Sequence, residues 1–233
     1  LSLFFGQSSF SQYVVTRASN AVVVDPEVDL TLLGPLGCGI QTGSGTVLNR
    51  LKPVIGESIV VFGCGAVGLS AIMAAKLTGC SQIIAVDIHA SRLALAGELG
   101  ATHQINGKEQ DAVDLIKQIT GKGAHYAVET TGVSAIVLQA VHAVKPLGTV
   151  AIVGFTGDIT FNVQNDLMAE GKSLVGVIEG DAVPALFIPL LVQQYKQGKF
   201  PIDKLIVRYP LADINQAFAD SASGKVIKPV VVM

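Results

Sequence analysis

Residues Gly63-Cys64-Gly65-Ala66-Val67-Gly68 follow the apolar run Ser58–Phe62 and lead directly into another apolar segment, Leu69–Leu77. Asp87 comes nineteen residues after this glycine-rich turn, at the end of the apolar run Ile83–Val86. The order of strand, GxGxxG turn, helix, strand and acid is that of a βαβ unit which binds a dinucleotide. Because the whole arrangement is present, it supports this prediction far better than three glycines alone would.

Each position of the turn has a physical task in such a site. Gly63 allows a tight turn, Gly65 lets the backbone approach a diphosphate, and Gly68 lets the helix pack closely on the strand. Ala66 and Val67 begin the helix, whose free N–H groups and partial positive charge attract phosphate. We therefore predict that this turn binds the diphosphate of a dinucleotide.

Asp87 also indicates which dinucleotide is bound. A carboxylate at this position accepts hydrogen bonds from both hydroxyls of the adenosine ribose, but it repels the 2′-phosphate of NADP. Hydrogen bonds to charged groups contribute roughly 1.5–3 kcal/mol each, so NAD is the predicted cofactor. Arg92 has two interpretations, a contact to the ribose hydroxyls or a solvated charge on a helix.

Composition excludes several classes of partner. The chain has 233 residues, 16 basic and 18 acidic side chains and a formal net charge of −2. Without a basic cluster, nucleic acid and anionic membranes are poor partners, and no apolar run reaches the roughly 18 residues of a membrane-spanning helix. The three cysteines lack paired spacing, which argues for a reducing compartment such as the cytoplasm.

Strand and helix patterns alternate from Ser58 to about Gly180. Six β segments separated by helical crossovers predict the α/β class, with a doubly wound parallel sheet of the Rossmann type. The predicted strands cover residues 58–62, 82–86, 102–105, 125–129, 149–153 and 173–178. The loops 129–132 and 153–155 should line the same crevice as the glycine-rich turn, because ligands bind at the carboxyl ends of such strands.

The two flanks have a different pattern. Ser11–Val15 and Ala21–Asp25 are rich in β-branched residues, as in a small β-rich region. After Asp181 the pattern predicts a helix over 184–197, a strand over 205–209, a helix over 212–222 and a strand over 226–232. We interpret both flanks as one second domain that the nucleotide-binding domain interrupts, with segments 1–40, 41–181 and 182–233.

Few side chains outside the turn suggest chemistry. Cys38 is either a small buried hydrophobic residue or a thiolate zinc ligand, and a metal site needs more than one ligand. The histidines at positions 89, 103, 125 and 142 form no motif with it and are interpreted as structural. Cys64 and Cys80 are interpreted as incidental. From the residues alone, NAD binding is the firm prediction and the reaction stays open.

The stretch Gly34–Gly45 (GPLGCGIQTGSG), followed by the glycine-rich turn and Asp87, resembles the zinc-dependent medium-chain alcohol dehydrogenases. Phe10–Tyr13 (FSQY) and Ser223–Pro229 (SGKVIKP) are similar to the same family. Two further segments most resemble its aryl- (benzyl-) alcohol dehydrogenases; these are 176–180 (GVIEG) and 197–201 (QGKFP).

This resemblance implies a role for several residues. Cys38 matches the last of three protein ligands of a catalytic Zn²⁺ ion, and Thr42 matches the threonine that lines the nicotinamide site, with Val67 behind the ring. Lys228 matches a basic residue that reaches the pyrophosphate; the alternative is an ordinary surface charge. Thr130 and Thr131 would lie near the adenosine. The backbone of two loops would hold the carboxamide of the nicotinamide: Val153, Gly154, Phe155 and Val177, Ile178, Glu179.

The family resemblance also implies a fold and an activity. The Rossmann domain would be inserted between parts of a GroES-like β-rich catalytic domain, which is truncated here because the other zinc ligands lie upstream of Leu1 in this family. The parent enzyme would oxidise a primary aromatic alcohol to an aldehyde with NAD and zinc, and this chain alone would be inactive. Relatives pair the edge strand near 173–177 with its twin, which implies a homodimer or homotetramer.

Two other functions remain open at this point. A zinc-independent quinone or enone reductase of the medium-chain family would prefer NADPH and lack a zinc-binding cysteine, so Asp87 and Cys38 both argue against it. A non-enzymatic nucleotide-binding module would need no metal ligands at all.

Overall fold

A computed structural model of the chain describes residues 10–233, so the first nine residues of the predicted segment 1–40 lie outside the description. The chain divides into two compact units. The larger unit is Cys38–Ala182, and the smaller unit combines the chain up to Gly37 with Val183–Met233. The assignment of the smaller unit to a catalytic domain stays a prediction.

The larger unit alternates helices and strands. Its elements are α1 Gly39–Gly45, which continues as a π-helical turn Thr46–Leu51, then β1 Ser58–Phe62, α2 Ala66–Leu77, β2 Gln82–Asp87, α3 Ala90–Leu99, β3 His103–Asn106, α4 Ala112–Thr120, β4 Ala124–Glu129, α5 Ser134–Ala143, β5 Val144–Ile152 and β6 Ser173–Gly176. The six strands form one sheet in which every adjacent pair is parallel. The strand order is β3-β2-β1-β4-β5-β6, the order of a doubly wound Rossmann sheet, which confirms the predicted fold class.

The sheet is buried on both faces, which explains why β1 reads as a continuous apolar run. Successive side chains of a strand point to opposite faces. Val60 and Phe62 belong to the same buried cluster as Ile116 of α4. Val61, on the opposite face, is fully buried beside Gly68 of α2. Helices therefore cover both faces, and the polar loops that remain accessible lie at the strand ends.

The prediction for β5 needs a correction. The sequence pattern predicted a turn over 145–148 before a strand over 149–153, whereas β5 begins at Val144. The register with β4 shifts between Ala124 and Tyr126, which indicates a bulge. Within this strand, Leu147 takes a left-handed backbone conformation with φ of 64°. The Pro146 and Gly148 that suggested a turn are instead accommodated as a local irregularity of one strand.

The smaller unit contains α6 Pro184–Lys196, β7 Ile206–Pro210, α7 Ile214–Ala222 and β8 Lys228–Val232. The strands β7 and β8 pair in parallel, so the elements predicted after Asp181 are confirmed with small shifts at their ends. Asp220 links α7 to β7, because its carboxylate accepts hydrogen bonds from Tyr209 of β7 and from Lys225 in the segment after α7. The Tyr209 hydroxyl, followed by Lys225, lowers the pKa of Asp220.

The β-rich character expected of Ser11–Val15 and Ala21–Asp25 is not found. Residues 10–29 form no strand in the part of the chain that the structure describes, apart from a 3-10 turn at Ala18–Asn20. Val15 and Val23 are 94% and 91% exposed. A β-branched segment becomes a strand only where a neighbour pairs with its backbone, and the described residues supply no such neighbour here.

Among the described residues, no helix combines the length and the apolar character needed to cross a membrane.

Candidate coenzyme site

The glycine-rich turn has the geometry that its sequence predicts. Gly63 adopts φ of 91°, a conformation that other residues rarely take. A Cβ on Gly68 would lie 1.8 Å from the carbonyl oxygen of Gly63, so α2 could not pack on the turn with any larger residue. Gly65 differs, because a Cβ built there meets no atom within 4 Å. The space over Gly65 is therefore open for a ligand.

The N-terminus of α2 faces this space. α2 runs over twelve residues from Ala66. Its N-cap residue is Gly65, which has no side chain that could cap the first N–H groups of the helix. The first N–H groups of a helix have no partner within the helix and carry a partial positive charge. Together with the open space over Gly65, they form a cradle that fits a diphosphate.

Asp87 ends β2 next to the glycine-rich turn. Its Oδ2 accepts a hydrogen bond from the Cys64 N–H at 2.6 Å, and its Oδ1 accepts one from the His89 N–H at 2.9 Å. The residue is 8% exposed, and the two hydrogen bonds hold its carboxylate in one orientation. Burial first and the charge of Asp87 second raise the pKa of the Cys64 thiol, so Cys64 stays protonated beside the site.

Arg92 lies on the first turn of α3, three residues after the N-cap His89. Its Nε is buried and has no hydrogen-bond partner in the described part of the chain. A buried donor without a partner costs about 1–3 kcal/mol. A ligand oxygen bound beside Asp87 would supply the missing acceptor. The residues at this end of the crevice therefore fit the ribose of an adenine dinucleotide.

The loop after β4 closes the turn from the other side. Thr130 donates its hydroxyl proton to the carbonyl oxygens of Phe62 at 2.8 Å and of Gly63 at 3.2 Å. Its side chain thus supports the glycine-rich turn from below. Its predicted contact with the adenosine side of a ligand, like that of Thr131, stays a prediction.

Sequence reasoning overlooked Glu129, whose side chain is completely buried at the end of β4. Its carboxylate accepts hydrogen bonds from the N–H groups of Thr131, at 2.7 Å, and Gly132, and from the Thr131 hydroxyl. A Cβ on Gly154 would lie 2.3 Å from the Gly132 nitrogen, so the loops after β4 and β5 touch. A charged residue directly after the apolar pair Ala127-Val128 at the end of β4 was the available signal for this role.

The loop after β5 contributes mainly backbone to the crevice. The N–H groups of Val153 and Gly154 both donate to the Glu129 carbonyl oxygen, and the Phe155 ring is fully exposed. Val177 continues from β6 by donating its N–H to Ile152 at 3.0 Å. Both loops thus leave the same edge of the sheet as the glycine-rich turn. The predicted carboxamide contacts of residues 153–155 and 177–179 stay predictions.

α1 brings Thr42 to the same edge. A Cβ on Gly43 would lie 1.9 Å from the Val67 carbonyl oxygen, so α1 and α2 approach each other backbone to backbone. Thr42 is 9% exposed, and its N–H donates to the Cys38 carbonyl oxygen at 2.9 Å. Thr42 and Cys38 are therefore positioned by one helical turn beside Val67. The role of Thr42 at the nicotinamide stays a prediction.

The metal-ligand prediction for Cys38 has less support. Cys38 is exposed at the N-terminus of α1. Residues 10–233 bring no three His, Cys, Asp or Glu side chains together in a metal-binding group. A catalytic zinc ion needs three protein ligands, so the described residues do not by themselves fit one.

The interpretation of the four histidines as structural residues stays a prediction, and three of them form hydrogen bonds. His125 accepts the Ser58 N–H at 3.1 Å, and burial lowers its pKa. His89 is the N-cap residue of α3, and His142 bonds Asp166 at 3.1 Å. His103 bonds the Thr102 hydroxyl at 2.9 Å.

Lys228 begins β8 in the smaller unit, while the glycine-rich turn belongs to the larger unit. Its contact with the pyrophosphate stays a prediction.

The sheet order, the glycine-rich turn and the acid at the end of β2 define the Rossmann class of nucleotide-binding proteins. Residues 66–193 match the family model described as "Zinc-binding dehydrogenase". The chain belongs to the zinc-binding dehydrogenase family.

Several similar proteins carry the names of dehydrogenases or alcohol dehydrogenases. Geraniol dehydrogenase of Castellaniella defragrans is 43% identical over 99% of this chain and 63% of its own length. The crystal structure of benzyl alcohol dehydrogenase from Acinetobacter calcoaceticus is 51% identical with a TM-score of 0.95, covering 98% of this chain and 64% of that protein. An alcohol dehydrogenase zinc-binding domain protein from Burkholderia ambifaria is 52% identical with a TM-score of 0.96, covering 99% and 63%. The chain thus spans slightly less than two thirds of these relatives.

Proposed function

We propose that this chain is the coenzyme-binding part of an NAD-dependent alcohol dehydrogenase. The observation that carries the proposal is Asp87, whose carboxylate is fixed beside the glycine-rich turn by two backbone N–H groups. The open space over Gly65 and the unsatisfied Nε of Arg92 support the same ligand. Nicotinamide supplies the hydride chemistry in such enzymes, and the protein binds and orients it.

The preferred substrate is a primary aromatic alcohol, which is oxidised to the aldehyde. The similarity to benzyl alcohol dehydrogenase at 51% identity supports this choice, and the geraniol dehydrogenase relative supports an alcohol more generally. Cys38 is the proposed thiolate ligand of a zinc ion that would hold the alcohol. Because three protein ligands are needed, the residues described here are proposed to bind NAD without turning over alcohol by themselves.

An assay with benzyl alcohol tests this proposal. In an enzyme with a complete zinc site, benzyl alcohol should reduce NAD. The Cys38→Ser variant of that enzyme should lose turnover, because it lacks a zinc ligand. Its dissociation constant for NAD should stay within about twofold of the unchanged enzyme, since Thr42 and the glycine-rich turn are untouched. The chain of residues 1–233 should bind NAD but give no turnover. Ordinary dehydrogenase turnover by residues 1–233, or an unaffected Cys38→Ser variant, would contradict the zinc assignment.

We also propose that two copies associate through β6. β6 is at the edge of the six-stranded sheet, and its residues Leu174 and Val175 are only partly buried. An uncovered apolar edge strand is an aggregation site unless another strand pairs with it. Pairing β6 with its twin would join two sheets into one.

Light scattering behind a sizing column tests this assembly. At micromolar concentration the particle mass should be two or four times the 24.2 kDa of the chain. A stable species of 24.2 kDa would count against it.

A further inference from the structure

The side chain of Glu179 connects the loop after β6 to the first turn of α1. Its Oε2 accepts a hydrogen bond from Gln41 Nε2 at 3.0 Å and a longer one from the Thr42 hydroxyl at 3.4 Å. Glu179 is half-buried and takes a left-handed backbone conformation with φ of 50°. Such a conformation costs energy in a residue with a side chain. The loop therefore holds this carboxylate against α1 at some cost.

Further contacts keep the loop in place. Asn49 donates its side-chain amide to the Gly180 carbonyl oxygen at 3.0 Å, and Arg50 forms an ion pair with Asp181 at 2.8 Å. A Cβ on Gly45 would lie 2.4 Å from the same Gly180 oxygen. The backbones of the loop and of α1 are thus in direct contact, and the position of the Glu179 carboxylate is well determined.

The topology assigns this carboxylate to one end of the crevice. A dinucleotide lies across the two halves of a Rossmann sheet, with its diphosphate at the β1 turn. Asp87 at the end of β2 marks the adenosine half, so the second mononucleotide extends over β4, β5 and β6. Glu179 follows β6 and bonds α1, whose Gly43 packs against Val67 at the start of α2. Its charge therefore lies at the nicotinamide end.

The two carboxylates of the loop differ in their partners. Asp181 is paired with the Arg50 guanidinium, whereas the partners of Glu179 in residues 10–233 are a neutral amide and a hydroxyl. The negative charge of Glu179 is thus not neutralised by a contacting cation within the described chain. A fixed charge in a partly buried site acts more strongly than the same charge in water.

We propose that Glu179 biases the site toward the oxidised coenzyme. The nicotinamide ring of NAD⁺ carries a positive charge, and the ring of NADH is neutral. The carboxylate attracts only the oxidised form, while its hydrogen bonds to Gln41 and Thr42 serve both forms equally. This inference rests on the proposed function, because it requires a nicotinamide coenzyme in the crevice.

The test is the affinity of Glu179→Gln for NAD⁺ and for NADH, measured by calorimetry on the full chain. Glutamine keeps the length and an acceptor oxygen for Gln41 and Thr42. The ratio of the NAD⁺ to the NADH dissociation constant should rise about three- to tenfold, the range expected for one unit charge several ångströms away. For Glu179→Asp, which keeps the charge, the same ratio should be closer to that of the unchanged protein than the ratio for Glu179→Gln is.

Glu109→Gln is the control for net charge, because Glu109 lies in an exposed turn after β3. It should leave the ratio within about twofold of the unchanged protein, since surface charges at a distance are screened. If Glu179→Gln weakens both coenzymes equally, its role is structural and the inference is overturned. If the unchanged protein binds neither coenzyme, the proposed function itself fails.

Discussion

Gly68→Ala is expected to destabilise the protein, whereas Gly65→Ala should leave the fold intact and weaken coenzyme binding. The Cβ added at position 68 would lie 1.8 Å from the Gly63 carbonyl oxygen and 2.9 Å from the Gly63 carbonyl carbon. Both are backbone atoms, so α2 or the turn must shift. Such overpacking costs about 3 kcal/mol, which exceeds the roughly 1 kcal/mol that alanine gains over glycine in a helix. We expect the free energy of unfolding to fall by about 2 kcal/mol.

Gly65 is the matched control, because it precedes α2 with φ of −77° and ψ of −171°. Any residue adopts this conformation, and a Cβ there meets no protein atom within 4 Å. The free energy of unfolding of Gly65→Ala should stay within about 0.5 kcal/mol of the unchanged protein. Its methyl group would occupy the space of the diphosphate, so NAD affinity should fall at least about tenfold.

Urea unfolding and calorimetric titration of both variants check these expectations. A Gly68→Ala variant as stable as the unchanged protein would contradict the packing described for α2. A Gly65→Ala variant with unchanged NAD affinity would show that the diphosphate lies elsewhere.

Asp87→Gly should abolish the preference for NAD over NADP. The change removes the carboxylate that accepts ribose hydroxyls, each hydrogen bond contributing roughly 1.5–3 kcal/mol. NAD affinity should fall by about one to two powers of ten. NADP should lose less or gain affinity, because the repulsion of its 2′-phosphate disappears. Calorimetric titration of both coenzymes measures the ratio.

Asp87→Asn removes the charge and keeps the size of the side chain. Asparagine retains one acceptor oxygen for the Cys64 or the His89 N–H, but its NH2 group faces the other N–H, so a local shift of the turn is expected. The preference of Asp87→Asn for NAD over NADP should lie between that of the unchanged protein and that of Asp87→Gly. If Asp87→Gly prefers NAD over NADP as strongly as the unchanged protein, Asp87 does not determine the coenzyme preference.

The Rossmann sheet was predictable because its signals are local. The buried runs of β1 and β2 and the glycines between them each act over a few residues. Segments 11–15 and 21–25 were predicted to belong to a β-rich region but form no strand, because a strand also needs a neighbour, which the local pattern does not report. The bulge in β5 was missed for the same reason, since Leu147 adopts its conformation within the pairing with β4.

Within the candidate site, too, the residues linked by local spacing were predictable and the contacts between distant residues were not. Gly63, Gly65 and Asp87 have recognisable spacing, and the structure places them together. Glu179 and Gln41 are 138 positions apart in the chain, so no spacing rule connects them. Their contact became visible only when the topology brought the loop after β6 onto α1.

The most direct test of the coenzyme site is a calorimetric titration of the unchanged protein with NAD and with NADP. We predict one NAD bound per chain, at least about tenfold more tightly than NADP. Equal affinity for NAD and NADP, tighter binding of NADP, or no binding of either coenzyme at millimolar concentration would contradict the proposed NAD site.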